Sequence, residues 1–342
     1  MPTPMGEGVP DLSYIESAAA HPGAARDARR DGDPGVDDLS RARPRSSSPR
    51  SWRPAPGLRA GADFHLGYSP ERIDPGNADL APGEHAQGRL RRRRRLARRG
   101  AGLLRRHRRD HRCRCRGTRE AELTKLLENT FRHVNIALVN ELAMFARDLG
   151  IDVWEAIDAA STKPFGYMRF TPGPGVGGHC LPIDPSYLSW QVERSLGQTF
   201  RFVELANDVN EHMPDYVVRR VQALLNDQRK AVQGLDRCSC TDWPTRPTPR
   251  DARETPSRPI VDQLLRLGRR GARWSTRTWP AAQFPDEATA VSTAPPMTWP
   301  TPTWCSTWST TTTSTATAIA ASGVPVLDCR RALSGDSDVQ HL

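Results

Sequence analysis

Between Glu120 and Leu149 apolar residues recur at Leu123, Leu126, Leu127, Phe131, Val134, Leu138, Leu142, Phe145 and Leu149. Steps of three and four lay these side chains along one stripe of a helix of about eight turns. Gly150 supplies the stop, because glycine takes the left-handed conformation that ends helices. A second helix is expected next, with Asp152 and Glu155 in capping-box spacing ahead of Val153, Trp154 and Ile157. Phe202, Leu205, Ala206 and Val209 mark another. Pro214 fits the first turn of one more, running through Val217, Val218, Val221, Leu224 and Leu225. Residues 118–234 therefore read as a helical domain.

The rest of the 342 residues changes texture abruptly. Only 37% of the chain is hydrophobic and 6% aromatic, against 30 prolines and 26 glycines, a balance that leans toward disorder. The net charge of +10 would suggest a polyanion partner, yet about half of the residues from Arg89 to Arg119 are arginine. The charge belongs to one segment. His21 to Pro56 and the arginine block carry no periodicity, and several such segments are expected to be disordered. Gly57 to Gly83 recovers sense around Phe64 to Tyr68, a short strand ahead of a Pro- and Gly-punctuated loop. In the C-terminal part Ile260, Val261, Leu264 and Leu265 keep helical spacing, the pattern fades through Ala272 to Ala321, and Val324 to Asp328 reads as a strand ending in a carboxylate.

No apolar run is long enough to span a bilayer, and Met1 to Ala20 lacks a basic start followed by an apolar stretch, so a cytoplasmic protein is expected. The seven cysteines form no CxxC pairs and no compact disulfide framework. Reduced thiols and no metal site are the expectation.

Chemistry concentrates in Pro172 to Pro185, where Gly173, Gly175, Gly177 and Gly178 precede His179, Cys180 and Asp184. Glycines let backbone amides approach a ligand, so the loop can wrap a phosphate or sugar while presenting a thiol. Gly173, Gly175 and Gly178 also satisfy GxGxxG. A dinucleotide turn is rejected, because no strand leads in and Pro182 and Pro185 oppose a helix at the required place. The polar neighbours shift Cys180 toward a reactive thiol, while a small buried hydrophobe stays open as the plainer reading. On the long helix Lys125 and Asn129 stand at i and i+4 and project together, a cation and an amide donor suited to a developing alkoxide, or simply a solvated face.

These residues resemble the UDP-glucose/GDP-mannose dehydrogenase family. Ala121 to Lys125, Leu127 to Arg132 and Asn140 to Leu142 are similar to its central helix, Gly177 to Pro185 to its nucleophile loop, and Tyr68 to Asn77 to its substrate-side loop. The forms SPERIDPGN and KPFGY are most similar to UDP-N-acetylglucosamine 6-dehydrogenases. The resemblance implies an α/β architecture: a truncated Rossmann-like domain over residues 1–117, a central helical dimerisation and catalytic domain over 118–234, and a degraded C-terminal α/β domain for the UDP-sugar over 235–342. It implies NAD as cofactor and oxidation of a UDP-sugar, UDP-N-acetylglucosamine or UDP-glucose, at C6 to the uronic acid through a cysteine thiohemiacetal and thioester.

By position the resemblance makes Cys180 the nucleophile, Lys125 and Asn129 the oxyanion stabilisers, Asp184 the assistant in proton transfer, and Glu71 an aid to thioester hydrolysis. It assigns substrate binding to Gly175, Gly177 and Gly178 and places Arg253 near substrate and cofactor. It also implies a homodimer through the central helix. The glycine fingerprint of the cofactor domain is absent, so an inactive fragment keeping the dimerisation module is the competing reading. An Arg-rich nucleic-acid binder is the third, although aromatic interleaving is missing.

Matching blocks follow family order and are separated by residues 21–56, 84–117 and 235–249, which do not match. Shifted-frame translation of a GC-rich gene would yield such Arg-, Pro- and Ala-rich text. Translating the locus in its other two frames is expected to return family-like strands at those three intervals; their absence from every frame overturns the idea.

Overall fold

The structure is a computed structural model that describes residues 118–177, 181, 183–231, 255–267, 326–331, 333 and 339–342, together with short strands at 5–6, 9–10, 87–89, 112–114, 238–241, 272–275, 290–292 and 305–307. The strand expected at Phe64 to Tyr68 and the cap expected at Asp11 lie outside them. The chain divides into two compact units, residues 1–131 with 179–201, and residues 132–178 with 202–342.

Five helices dominate: α1 (Thr118–Asp148), α2 (Val153–Ser161), α3 (Ile183–Leu196), α4 (Arg201–Asp227) and α5 (Ser257–Leu267). The ends of α1 and α2 obey local chemistry. Gly150 sits at φ 70°, Gly150 N donates to Arg147 O and Ile151 N to Ala146 O, the paired bonds of a Schellman stop. Asp152 then accepts from Trp154 N at 2.8 Å and Glu155 N at 3.2 Å, capping α2.

The stripe that identifies α1 is largely on the surface. Leu123, Leu127, Phe131, Leu138, Leu142, Phe145 and Leu149 are all exposed, and of the stripe only Leu126 is buried. Smaller residues face inward in the second unit, where Val139, Ala143 and Ala146 pack with Val153, Trp154 and Ile157, and Ala137 packs with Ala206 and Val209. Small side chains let helix backbones approach closely. The same buried face carries His133 and Asn140, whose polar groups meet α4: His133 Nε2 donates to Asn207 Oδ1 at 2.8 Å and Asn140 Nδ2 to Asn210 Oδ1 at 2.9 Å.

Two expectations about proline are corrected. Pro214 does not open a new helix; it lies inside α4, which runs unbroken for 27 residues. An interior proline costs about 3 kcal/mol through the lost N–H and the ring clash. Met213, Val217, Val221, Leu224 and Leu225 are buried around it with α5, Leu327, Cys329 and Leu342, and each such side chain contributes about 1.5–3 kcal/mol. Packing therefore outweighs the proline. Pro185 likewise does not prevent a helix, since α3 opens at Ile183 with Pro185 in its first turn, where no intrahelical donor is needed.

The C-terminal part forms a six-stranded, wholly parallel sheet from β5 (Cys238–Thr241), β6 (Ala272–Ser275), β7 (Ala290–Ser292), β8 (Cys305–Thr307), β9 (Val326–Asp328) and β10 (Val339–His341). Its spatial order is β7-β6-β5-β8-β9-β10. That is the doubly wound order, with the reversal between β5 and β8. Three of these strands fall in Ala272 to Ala321, where the sequence pattern fades. Strand β9 ends as expected in Asp328, whose carboxylate accepts from Arg330 N at 2.9 Å and Leu333 N at 2.7 Å. Short pairs also form between β1 (Met5–Gly6) and β2 (Val9–Pro10), and between β3 (Gln87–Arg89) and β4 (Arg112–Arg114). The last pair joins a strand at the start of the arginine-rich stretch to one within it.

His133 is 1% exposed, and its Nδ1 has no hydrogen-bond partner. Burial lowers its pKa from the usual 6.5, against the opposing pull of its bond to Asn207. The unfolded chain then binds the proton more readily, so this contribution to stability is complete above pH 6.5 and declines as pH falls through 6.5 toward the lower folded value. Urea midpoints of the wild type are expected to fall relative to those of His133→Gln between about pH 7 and pH 5. A difference that stays constant with pH would show that His133 does not titrate on unfolding.

Candidate functional site

In the first unit, α1 and α3 bring three of the expected site residues together. Asn129 Nδ2 donates to Asp184 Oδ2 at 2.7 Å, and Lys125 Nζ stands 3.5 Å from the same oxygen. The i,i+4 spacing on α1 is what lets both reach one atom. Asp184 lies in the first turn of α3, where unpaired backbone N–H groups favour a carboxylate. Lys125 and Asp184 are both buried, so their pairing removes the cost of an isolated interior charge, which is several kcal/mol. The solvated-face reading of Lys125 and Asn129 is thereby corrected: these side chains meet a buried carboxylate. Chemically the cluster joins a fixed cation and an amide with a second N–H, both able to face developing negative charge, to a carboxylate able to exchange a proton.

The glycine loop belongs to the second unit as far as Gly177. Pro172, Gly173, Pro174 and Gly175 are buried, and Gly177 is half-buried. Gly175 has φ 133°, a conformation for glycine; a Cβ there would stand 3.0 Å from Pro256 Cβ and 3.2 Å from Asn210 O. A Cβ on Gly173 would meet the Arg330 guanidinium at 2.5 Å. Gly175 is thus required by its backbone conformation and by close packing, whereas at Gly173 the obstacle is the end of a flexible side chain. No strand occurs between residues 162 and 177, and α3 begins only at Ile183, so Gly173 and Gly175 do not belong to a dinucleotide turn.

Cys180 and Gly178, at the end of this loop, lie outside the described residues, as do Glu71 and Arg253. Among the described residues no cluster of His, Cys, Asp and Glu could hold a metal ion, and no helix is long and apolar enough to cross a membrane. Asn140, which accepts from Gly173 N at 2.8 Å, is absent from the site expected from sequence. Its signal was present: an asparagine between Ala137 and Ala143 on the small-residue face of α1 is polar where the helix is buried.

The model of the UDP-glucose/GDP-mannose dehydrogenase family central domain matches residues 119–212, which contain Lys125, Asn129, Asp184 and the whole glycine loop. A UDP-N-acetyl-D-mannosamine dehydrogenase of Escherichia coli (strain K12) is 31% identical over 281 residues, covering 77% of this chain and 64% of the relative. The corresponding enzyme of Methanocaldococcus jannaschii is 38% identical over 150 residues, 43% of this chain and 32% of that one. The chain therefore spans less than two thirds of the length of these relatives. Among solved structures, a UDP-D-ManNAc dehydrogenase from Pyrococcus horikoshii superposes with TM-score 0.74 at 23% identity, covering 99% of this chain and 78% of that one. A UDP-glucose dehydrogenase from Pyrobaculum islandicum gives TM-score 0.73 at 20% identity, covering 99% and 76%. The fold is that of these solved nucleotide-sugar dehydrogenases, and residues 119–212 match the central domain of the UDP-glucose/GDP-mannose dehydrogenase family.

Proposed function

We propose that the chain derives its chemistry from NAD-dependent oxidation of a UDP-N-acetylhexosamine at C6 to the uronic acid, with Cys180 as the nucleophile. The observation that carries this reading is the convergence of Lys125 and Asn129 on Asp184 inside the matched central domain. The motif resemblance favours UDP-N-acetylglucosamine or UDP-glucose, whereas the relatives cited are UDP-N-acetyl-D-mannosamine dehydrogenases; UDP-N-acetylmannosamine therefore joins the candidate substrates.

In this mechanism the Cys180 thiolate adds to the C6 aldehyde to give a thiohemiacetal, whose oxidation leaves a thioester that water hydrolyses. The Lys125 ammonium and the Asn129 amide stabilise the alkoxide at each tetrahedral stage. Asp184 exchanges the proton with substrate and hydrolytic water, and Glu71 assists the hydrolysis. Orientation of the sugar nucleotide is assigned to the amides of Gly175, Gly177 and Gly178 and, on the family resemblance, to Arg253, and the seat of its nucleotide to the C-terminal sheet, which carries the doubly wound order. NAD, when bound, accepts one hydride in each of the two oxidations. The described residues contain no glycine turn between a strand and a helix that suits a dinucleotide. Residues 118–234 are proposed as the catalytic and dimerisation domain.

The assay is NADH formation by the purified chain with UDP-N-acetylmannosamine, UDP-N-acetylglucosamine and UDP-glucose. Two NADH per sugar are expected, with turnover abolished in Cys180→Ala and kcat lowered about 10²–10³-fold in Lys125→Ala. No NADH from any of the three sugars would defeat the enzymatic reading.

The exposed stripe of α1 supports a homodimer. Seven apolar residues with Leu205 and Phe202 of α4 are exposed, and large apolar residues on one helix stripe are stabilised by burial against a partner. Sedimentation is expected to give a dimer for the wild type and a monomer for the pair Leu142→Glu and Phe145→Glu. A monomeric wild type at micromolar concentration would remove this reading; a dimer that makes no NADH would leave the module as a non-catalytic assembly unit.

A further inference from the structure

The segment Pro172-Gly173-Pro174 has a single backbone donor, because neither proline carries an N–H. All three residues are buried, so that donor needs a partner within the protein. Its partner is Asn140 Oδ1 at 2.8 Å, and Asn140 is 0% exposed in the middle of α1. The other end of the same amide donates to Asn210 Oδ1 at 2.9 Å, and Asn210 Nδ2 reaches His133 O at 3.4 Å. The orientation of Asn140 follows from this chain of bonds, since Gly173 N can only donate.

Asn210 meets the loop a second time through its main chain. Residue i+4 from Asn210 is Pro214, so the Asn210 carbonyl receives no N–H from the next helical turn. That carbonyl faces Gly175, where a Cβ would approach it to 3.2 Å. The interior proline of α4 and the asparagine of α1 thus serve one object, the glycine loop. A buried asparagine in mid-helix costs desolvation unless its bonds are made, and here both ends are engaged.

We propose that Asn140 is a positioning residue that fixes residues 171–177 through Gly173 N, and so sets the placement of the substrate-binding amides of Gly175 and Gly177. The catalytic half of this statement rests on the dehydrogenase reading; the structural half does not. Asn140 touches neither substrate nor reacting atoms and acts through the backbone of Gly173. Loss of such placement far from the chemistry lowers rates by about 10²-fold.

The test pairs amide hydrogen exchange with steady-state kinetics on the full chain. Asn140→Leu keeps the side-chain shape and removes the acceptor; Asn140→Asp keeps an acceptor for Gly173 N. In Asn140→Leu, exchange within residues 171–177 is expected to accelerate at least about tenfold while α2 keeps its protection, and kcat/KM for the UDP-sugar to fall about 10²-fold. Asn140→Asp, which keeps the acceptor but loses the Nδ2 donor to Asn210, is expected to restore the protection of Gly173 and kcat/KM only in part. If Asn140→Leu loses protection throughout, Asn140→Ala is judged on the same readings. Wild-type exchange in the loop of the acceptor-less variant overturns the proposal, as does a loosened loop with unchanged kcat/KM. Should the wild type turn over no UDP-sugar, the dehydrogenase reading fails by itself, and the exchange data alone decide whether Asn140 holds the loop.

Discussion

A carboxylate taken out of water has to be met by positive charge or by donors, and Asp184 is buried. That constraint explains why α1 and α3 present the residues they do. The i,i+4 step on α1 aims an ammonium and an amide at one oxygen, and the first turn of α3 offers its unpaired backbone donors. Removing either α1 side chain would take one of its partners from a buried acid. The cluster is therefore a structural necessity and a chemical opportunity at once, because a fixed cation and donor are what a developing alkoxide requires.

A second constraint runs through the glycine loop. Two helices deviate from helical preference to serve it: α4 accepts a proline in its interior, and α1 accepts an asparagine on its buried face. Each deviation alone weakens its helix, by loss of a backbone bond in one case and by burial of an amide in the other. Together they supply a released carbonyl beside Gly175 and an acceptor for Gly173 N. The loop in turn contributes Gly175, whose conformation and approach to the Asn210 carbonyl call for glycine.

What was legible in the sequence is what depends on near neighbours along the chain. The stop at Gly150, the cap at Asp152 and the facing of Lys125 with Asn129 follow from spacings of four residues or fewer. The approach of Asp184 to Asn129 joins residues 55 positions apart, and no periodicity encodes it; the family resemblance gave the residues a common reaction but not this contact. Helical period located a stripe on α1 without telling which stripe is buried. Leu138, Leu142 and Phe145 look like core by type, yet Ala137, Ala143 and Ala146 are the ones packed inside, because close helix approach favours small side chains. Pro214 was misplaced for a related reason: the first-turn preference of proline is a local rule, and tertiary burial of Met213, Val217 and Val221 overrode it.

The C-terminal sheet was hard to read because its strands lack the usual signal. Strands of a parallel sheet covered on both faces are near-continuous runs of Val, Ile and Leu. Here β5 reads Cys-Ser-Cys-Thr, β6 Ala-Arg-Trp-Ser and β8 Cys-Ser-Thr. Only β9 has the expected character, and its Val326 and Leu327 are wholly buried, Leu327 with α4 and α5. Of these elements α4 begins within residues 119–212, which match the family's central domain. Apolar patterning is also what pins a strand's register. By this argument β9 is the strand whose register is pinned by burial, because Leu327 shares one apolar cluster with α4 and α5.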